Sequence, residues 1–241
     1  MIKKIKWFDV CLLGVLVLMG SLLVFANQRN ESRSIERVEV KLLSSNNHFI
    51  TQEMVERLIV GYFPDSLTIS KKEVDLMLIE SQLNEHPMIA HSEVFLSVDG
   101  ILSSEVTQKT AIARVISQNE SFYIDIEGNE MPLSEHFSAH VPLITGNLKK
   151  ENKNRFIELL NIINTDDFYK TTVTGIKINP DQSLIFSVRD YNYQVEFGHL
   201  KEIERKLDNY KAFVHYAKND TVVKEYKNIN LRFTEQVVCM K

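Results

Sequence analysis

Apolar positions follow three different periods along this chain. Residues 10–26 form an uncharged, mostly apolar run, which Trp7 and Phe8 extend at the cost of Asp9. Roughly 17–25 such residues cross a bilayer as a helix, so the run predicts one transmembrane helix over 10–26. A short polar stretch, 27–34, reads as a linker. Val38, Val40 and Leu42 then alternate with polar residues, the period of a half-buried strand. Ser44-Ser-Asn-Asn-His48 is a turn cluster. Residues 51–63 open on a Thr cap and place Met54, Val55, Leu58 and Ile59 on one helical stripe, which Pro64-Asp65-Ser66 ends. A second helix, capped by Ser70, carries Val74, Met77, Leu78 and Leu83 and stops before Pro87. Extended runs at 93–98 and 101–106 flank Asp99-Gly100, a strong hairpin signal. The order strand, helix, helix, strand, strand closes as a small sheet with two helices on one face.

After residue 110 strands dominate. Runs at 111–118 and 122–126 read as a pair, with Glu127-Gly128-Asn129 turning into Met131-Pro-Leu133, and 141–146 is another extended piece. Phe156, Leu159, Leu160 and Ile163 predict a helix, residues 171–178 and 183–188 a hairpin, and 191–197 its continuation. Leu200, Ile203, Leu207, Tyr210 and Val214 mark a second helix. A final strand is expected over 226–238, with Ile229, Leu231 and Phe233 on one face and Asn230, Arg232 and Thr234 on the other. The fold class is therefore α+β.

Composition is ordinary for a globular chain of 241 residues, 44% hydrophobic and 25% charged, and excludes disordered and collagen-like classes. The cations Lys3, Lys4 and Lys6 precede the apolar run, the arrangement that keeps an amino terminus cytoplasmic. The rest of the chain is more acidic than the formal net charge of −4, which argues against nucleic acid as a partner. A cleavable signal peptide ending at Val24-Phe25-Ala26 is the competing reading; signal cores are usually shorter, roughly 7–15 residues, so an uncleaved anchor is expected. Either reading exports the body of the chain and excludes a cytoplasmic enzyme.

Catalytic templates fail on spacing. There is no Gly-x-Ser-x-Gly elbow and no phosphate-cradling loop. His136 and His140 stand four apart, but prolines at 132 and 142 bracket them and no third ligand is evident. Adjacent Asp166 and Asp167 read as a helix-end turn, and the charged face carrying Glu202, Glu204 and Asp208 with Lys201, Arg205 and Lys206 as solvated surface. Cys11 and Cys239 make neither a disulfide framework nor a metal site. The triplets starting at Asn30, Asn119 and Asn219 match a glycosylation acceptor by chance spacing. No catalytic, cofactor or metal residue is expected.

Asn84-Glu-His-Pro87 with Met88-Ile-Ala-His-Ser-Glu-Val94, together with three further stretches, resembles the bacterial cell-division family FtsQ/DivIB, here its helix end, proline and following strand. Thr107-Gln-Lys-Thr-Ala-Ile-Ala-Arg114 occupies the place of its Glu-Arg-x-Pro-x-Ala junction, with Gln108, Lys109 and Thr110 in place of the usual pair and proline. Phe122-Tyr-Ile-Asp-Ile-Glu-Gly128, Met131-Pro-Leu-Ser134 and Val141-Pro-Leu-Ile-Thr-Gly146 resemble its Asp-x-x-Gly and Pro-x-x-x-Gly stretch, and Asn230-Leu-Arg-Phe233 its last strand, which reads Asp-Leu-Arg-Tyr.

The resemblance implies a cytoplasmic tail (1–9), a transmembrane helix (10–26), a linker (27–34), a POTRA domain (35–110) and a C-terminal β domain (111–241) with two helices and a terminal strand. It implies a non-enzymatic inner-membrane scaffold, its main body periplasmic, joining FtsB- and FtsL-type single-span proteins and other divisome proteins at the septum. The rivals are an anchored envelope enzyme acting on peptidoglycan or glycan, and a POTRA module of an outer-membrane assembly system. A last strand with a free edge can accept a partner strand, so the expected partner-binding residues are Ile229, Leu231, Arg232, Phe233, Thr234, Glu235 and Val237. Phe233 is the expected aromatic contact, Arg232 its polar neighbour and Leu231 a core residue; the alternative turns Ile229, Leu231 and Phe233 all inward. The edge of the POTRA sheet is a second candidate.

Overall fold

A computed structural model describes residues 7–31, 34–43, 48–63, 70–117, 120–217, 223 and 225–241. The turn at 44–47, the break at 64–66, the amino-terminal lysines and the triplets at Asn119 and Asn219 lie outside the described residues. The chain divides into two compact units, Met1–Gln108 and Lys109–Lys241.

In the first unit, helix α1 spans Trp7–Glu31, is exposed at Trp7 and over residues 10–29, and is long and apolar enough to cross a membrane. The helix runs on through residues expected to be linker. Asn27 to Glu31 contain no Gly or Pro, adding turns to a formed helix costs little, and Arg29 in the last turn suits the negative end of the dipole.

Strands β1 (Arg37–Leu42), β2 (Ile89–Leu96) and β3 (Ile101–Gln108) make a sheet of order β1-β3-β2, with β1 parallel and β2 antiparallel to β3. Helix α2 (Gln52–Gly61) is capped by Thr51, whose hydroxyl accepts from the Met54 amide, and buries Val55 and Ile59. The second expected helix is divided. Ser70 caps only a 3-10 turn, Lys71–Glu73, and α3 starts at Leu76, with the Asp75 carboxylate accepting from Leu78 N–H at 3.0 Å. The Lys71 ammonium donates to the carbonyls of Ser97 and Val98, tying that turn to the hairpin. Asp75 then supplies a second cap, and Val74 between them is extended. Helix α3 (Leu76–Asn84) therefore buries Ile79 and Leu83, four apart, while Met77 and Leu78 stay exposed. Gln108 is buried and exchanges two hydrogen bonds with the main chain of Ile50, closing the loop before α2 onto the end of β3.

The second unit is one mixed sheet with helices. Its strands are β4 (Ala111–Ile116), β5 (Ser121–Asp125), β6 (Glu130–Met131), β7 (Leu143–Thr145), β8 (Val173–Ile178), β9 (Leu184–Val188), β10 (Gln194–Gly198), β11 (Asn228–Asn230) and β12 (Val238–Met240). They run in the order β12-β11-β10-β9-β8-β7-β4-β5-β6. Pairing is parallel at β4/β7, β7/β8 and β10/β11 and antiparallel elsewhere. Parallel neighbours need a crossover. Helices α4 (Lys153–Thr165) and α5 (Asp167–Thr172) supply it between β7 and β8, and α6 (Ile203–Ala217) between β10 and β11. Helix α5 was not expected: Asp166, read as a turn residue, caps it by accepting from Phe168 N–H at 2.9 Å, so residues 171–172 are helical rather than strand.

Directly paired residues point to one side of a sheet. Here the pairs Phe122–Val115, Val115–Ile144, Ile144–Ile176, Ile176–Phe186, Phe186–Val195, Val195–Ile229 and Ile229–Cys239 form one apolar row across β5 to β12. The middle of the row, Ile144 to Ile229, is buried with Phe156, Leu160, Tyr169, Leu207 and Tyr210 of the helices.

Two glycines are fixed by close approach. Gly128 (φ +83°) lies where a Cβ would stand 2.1 Å from Ile157 Cδ1, and Gly146 (φ +95°) where it would stand 2.1 Å from the Ile178 carbonyl oxygen. The turn before Gly128 is organised by Asp125, which is 2% exposed. Its carboxylate accepts from the amides of Glu127 (3.0 Å) and Asn129 (2.8 Å) and pairs with Lys109 at 3.1 Å. Burial pushes this carboxyl upward, but those amides and the ammonium together hold it below its usual range. A carboxyl lowered in the folded state adds stability that is complete above its unfolded value, about 3.9, and is lost as pH falls through the folded one. Asp125→Asn is therefore expected to cost about 2–3 kcal/mol near neutral pH, with the gap from wild type closing below about pH 4. Urea unfolding followed by tyrosine fluorescence across pH 3–7 measures it, and a gap that does not change with pH refutes it.

Candidate functional site

The end of the second unit is built on α6. Lys206, expected on a solvated face, is only 3% exposed, because its ammonium is drawn inward to donate to the carbonyls of Phe197 (3.0 Å) and His199 (2.8 Å), 4.9 Å from the Phe197 ring centre. Burial lowers its pKa, and the two carbonyls satisfy its charge. On the same helix, Tyr210 Oη meets Tyr193 Oη at 3.2 Å, and the Leu207 carbonyl accepts from Tyr169 Oη at 2.6 Å. Burial raises all three phenols, Tyr193 to about 12, so they remain neutral hydrogen-bonding groups. These contacts fix α6 against the end of β10, and the crossover then delivers β11 alongside β10.

The single strand expected over 226–238 is two strands and a loop. Strand β11 ends at Asn230, whose Oδ1 accepts from Arg232 N–H at 2.9 Å, a local bond that competes with continued pairing. Leu231 N–H makes the last bond to β10, reaching the Glu196 carbonyl at 2.9 Å. Helix α6 then holds the loop: Asn209 Nδ2 donates to the Thr234 carbonyl at 2.9 Å, and Arg205 pairs with Glu235 at 2.6 Å. The chain turns back, and β12 pairs antiparallel with β11.

The expected contact residues therefore separate. Ile229 and Leu231, 0% and 1% exposed, are core. Val237 is half-buried against the same core. Arg232 is exposed and pairs with Glu196 at 3.2 Å. Glu235 is exposed, Thr234 half-buried, and Phe233, at 54% exposure, faces away from the core that takes Ile229 and Leu231. The alternation argument fails at Phe233 because the strand has ended before it. The residues that form the outer edge are Val238, Cys239 and Met240, and among the described residues no strand pairs with their other side. The sequence signal for them is the apolar run Val237-Val-Cys-Met240 following polar Thr234-Glu-Gln236. Burial raises the Cys239 thiol, so it is not an activated nucleophile. His136 and His140 are exposed loop residues, and among the described residues no three His, Cys, Asp or Glu side chains are grouped to hold a metal ion.

An apolar helix of membrane-spanning length followed by two α+β units, the second closing on an exposed sheet edge, describes an anchored protein with a large folded body. The sequence profile of the family described as FtsQ/DivIB, C-terminal related, matches residues 110–240, more than half of the chain. The chain belongs to this FtsQ/DivIB family of cell-division proteins. Among solved structures, it is similar to the major extracytoplasmic domain of the trans isomer of the bacterial cell division protein DivIB from Geobacillus stearothermophilus. That similarity has 15% identity and a TM-score of 0.35, over 47% of this chain and 97% of that one. No curated protein matches the chain.

The division between core and surface in the terminal segment is directly measurable. Leu231→Ala is expected to lower unfolding free energy by about 2–5 kcal/mol, and Phe233→Ala to change it by no more than about 0.5 kcal/mol. Equal losses in chemical denaturation would mean that Phe233 is core after all.

Proposed function

We propose that the protein is a non-enzymatic, single-span scaffold of the bacterial division machinery. Its apolar helix anchors it with the amino terminus in the cytoplasm, and residues 35–110 serve as a POTRA domain. Its extracytoplasmic body recruits FtsB- and FtsL-type single-span proteins, with other division proteins, to the septum. The observation that carries this reading is the edge of β12. A strand bonded on one side only offers main-chain donors and acceptors to an incoming strand, while its side chains and the adjoining Phe233 provide selectivity. Anchoring strengthens such a contact, because two proteins held in one membrane meet at a raised effective concentration. Family membership supports the cell-division context, and the helix of membrane-spanning length supports the anchored form.

The contact residues of this reading are Arg232, Phe233 and Val238 to Met240. Ile229 and Leu231, expected among the contact residues, instead hold the edge in place from inside the core. The test is capture of membrane partners by the tagged full chain in lipid nanodiscs. Wild type is expected to retain small single-span proteins, and removal of residues 238–241 to reduce capture at least tenfold while circular dichroism remains unchanged. Undiminished capture by a folded truncated protein removes the edge from the mechanism, and turnover of a soluble envelope substrate replaces the scaffold by an enzyme.

A further inference from the structure

The apolar row has a second exposed end. Over β7 to β11 the row is buried beneath α4, α5 and α6, but at β4 and β5 its last members, Val115 and Phe122, are only half-buried. They line a groove of about 510 Å³, with Ile144 and Leu148 beside them and the first turns of α4 along one side. We propose that this groove docks an amphipathic helix of a partner protein, its apolar stripe on the row and an acidic flank toward α4.

A helix is the fitting occupant for two reasons. The floor consists of side chains on the face of paired strands, so an extended segment would find no main-chain partner there, whereas a helix satisfies its own backbone. The place also continues the layer of helices that covers the same row elsewhere. Stripes spaced i, i+3, i+4 and i+7 are the usual means of filling such a groove.

Charge sets the flank. Lys149, Lys150 and Lys153 line the groove, and among the described residues none has an acidic partner. Lys153 is the first residue of α4, where the helix dipole disfavours cations, and Lys149 and Lys150 stand at the 3-10 turn just before it. The carboxylates lining the groove, Glu120 and Glu130, are fewer. Three ammonium groups against two carboxylates, with no ion pair to any of the three among the described residues, match an apolar stripe bordered by acids. This docking is separate from β12, which lies at the opposite edge of the sheet.

The test uses the full chain in nanodiscs of zwitterionic lipid, with fluorescent helical peptides carrying a leucine stripe flanked by Glu or by Lys. Fluorescence anisotropy is expected to show the Glu-flanked peptide binding roughly tenfold more tightly, as three exposed pairs would give. The combined variant Lys149→Glu, Lys150→Glu, Lys153→Glu should reverse the preference, and removal of residues 238–241 should leave it unchanged. Equal binding of both peptides, binding that survives replacement of the leucine stripe by glutamine, or loss of binding on removal of 238–241 would each overturn the proposal.

Discussion

The second unit depends on one row of side chains. Phe122, Val115, Ile144, Ile176, Phe186, Val195, Ile229 and Cys239 are neighbours strand by strand, and every register in the sheet except that of β6 must agree for the row to exist. A slip of one residue in any strand would turn that strand's member to the other face. The short strands depend on this most. Strand β7 has three residues and β11 three, too few to hold a register by main-chain bonds alone. Ile144 and Ile229, both fully buried, lock them between neighbours.

The row needs a cover, and the way the cover is held determines where the chain ends. Parallel pairing of β10 with β11 requires α6 to cross over the sheet. Its start is held by a buried ammonium, Lys206, on two carbonyls at the end of β10, and its middle by the Tyr193–Tyr210 contact. A charged group so deeply buried is costly unless fully bonded, so this contact tolerates little displacement of the helix. Once α6 is fixed, Asn209 and Arg205 reach the loop after β11 and turn it back, and β12 becomes the outermost strand.

Local signals made most elements legible in the sequence. Asp99-Gly100 marks the β2–β3 hairpin, and the Ser97 hydroxyl accepts from Ile101 N–H just as the turn forms. The stripe Phe156, Leu159, Leu160 and Ile163 is buried in α4 as its spacing requires. The Asp-x-x-Gly stretch is legible as a turn and the Pro-x-x-x-Gly stretch as an extended piece, although the residues their glycines meet, Ile157 and Ile178, are far away in sequence. Misreadings arose where distant groups override local pattern. Alternation continues through Arg232 and Phe233, but the chain leaves the sheet there because Asn230 bonds locally and α6 holds the carbonyl of Thr234. Ser70 has the chemistry of a helix cap, yet Lys71 is drawn to the hairpin carbonyls and the helix restarts at Asp75. In the terminal segment Leu231 in the core and Phe233 outside it were both expected from the sequence, the strand break after Asn230 is the physical reason they part, and the separate edge strand at 238–240 was not expected.

A sheet closed by helices on one face has two kinds of unfinished surface. One is an edge, where backbone groups lack partners; the other is an uncovered part of the face, where side chains do. Strand β12 is the first kind, and it is short and followed by Lys241, features that restrain indiscriminate pairing. The groove over Val115 and Phe122 is the second kind, and it is bordered by lysines whose charge disfavours a basic occupant. Both lie on the same row, at its two ends, so a change of register between them would displace both together. For the proposed scaffold that arrangement has a consequence, because one rigid core then fixes the spacing of two candidate surfaces of different chemistry.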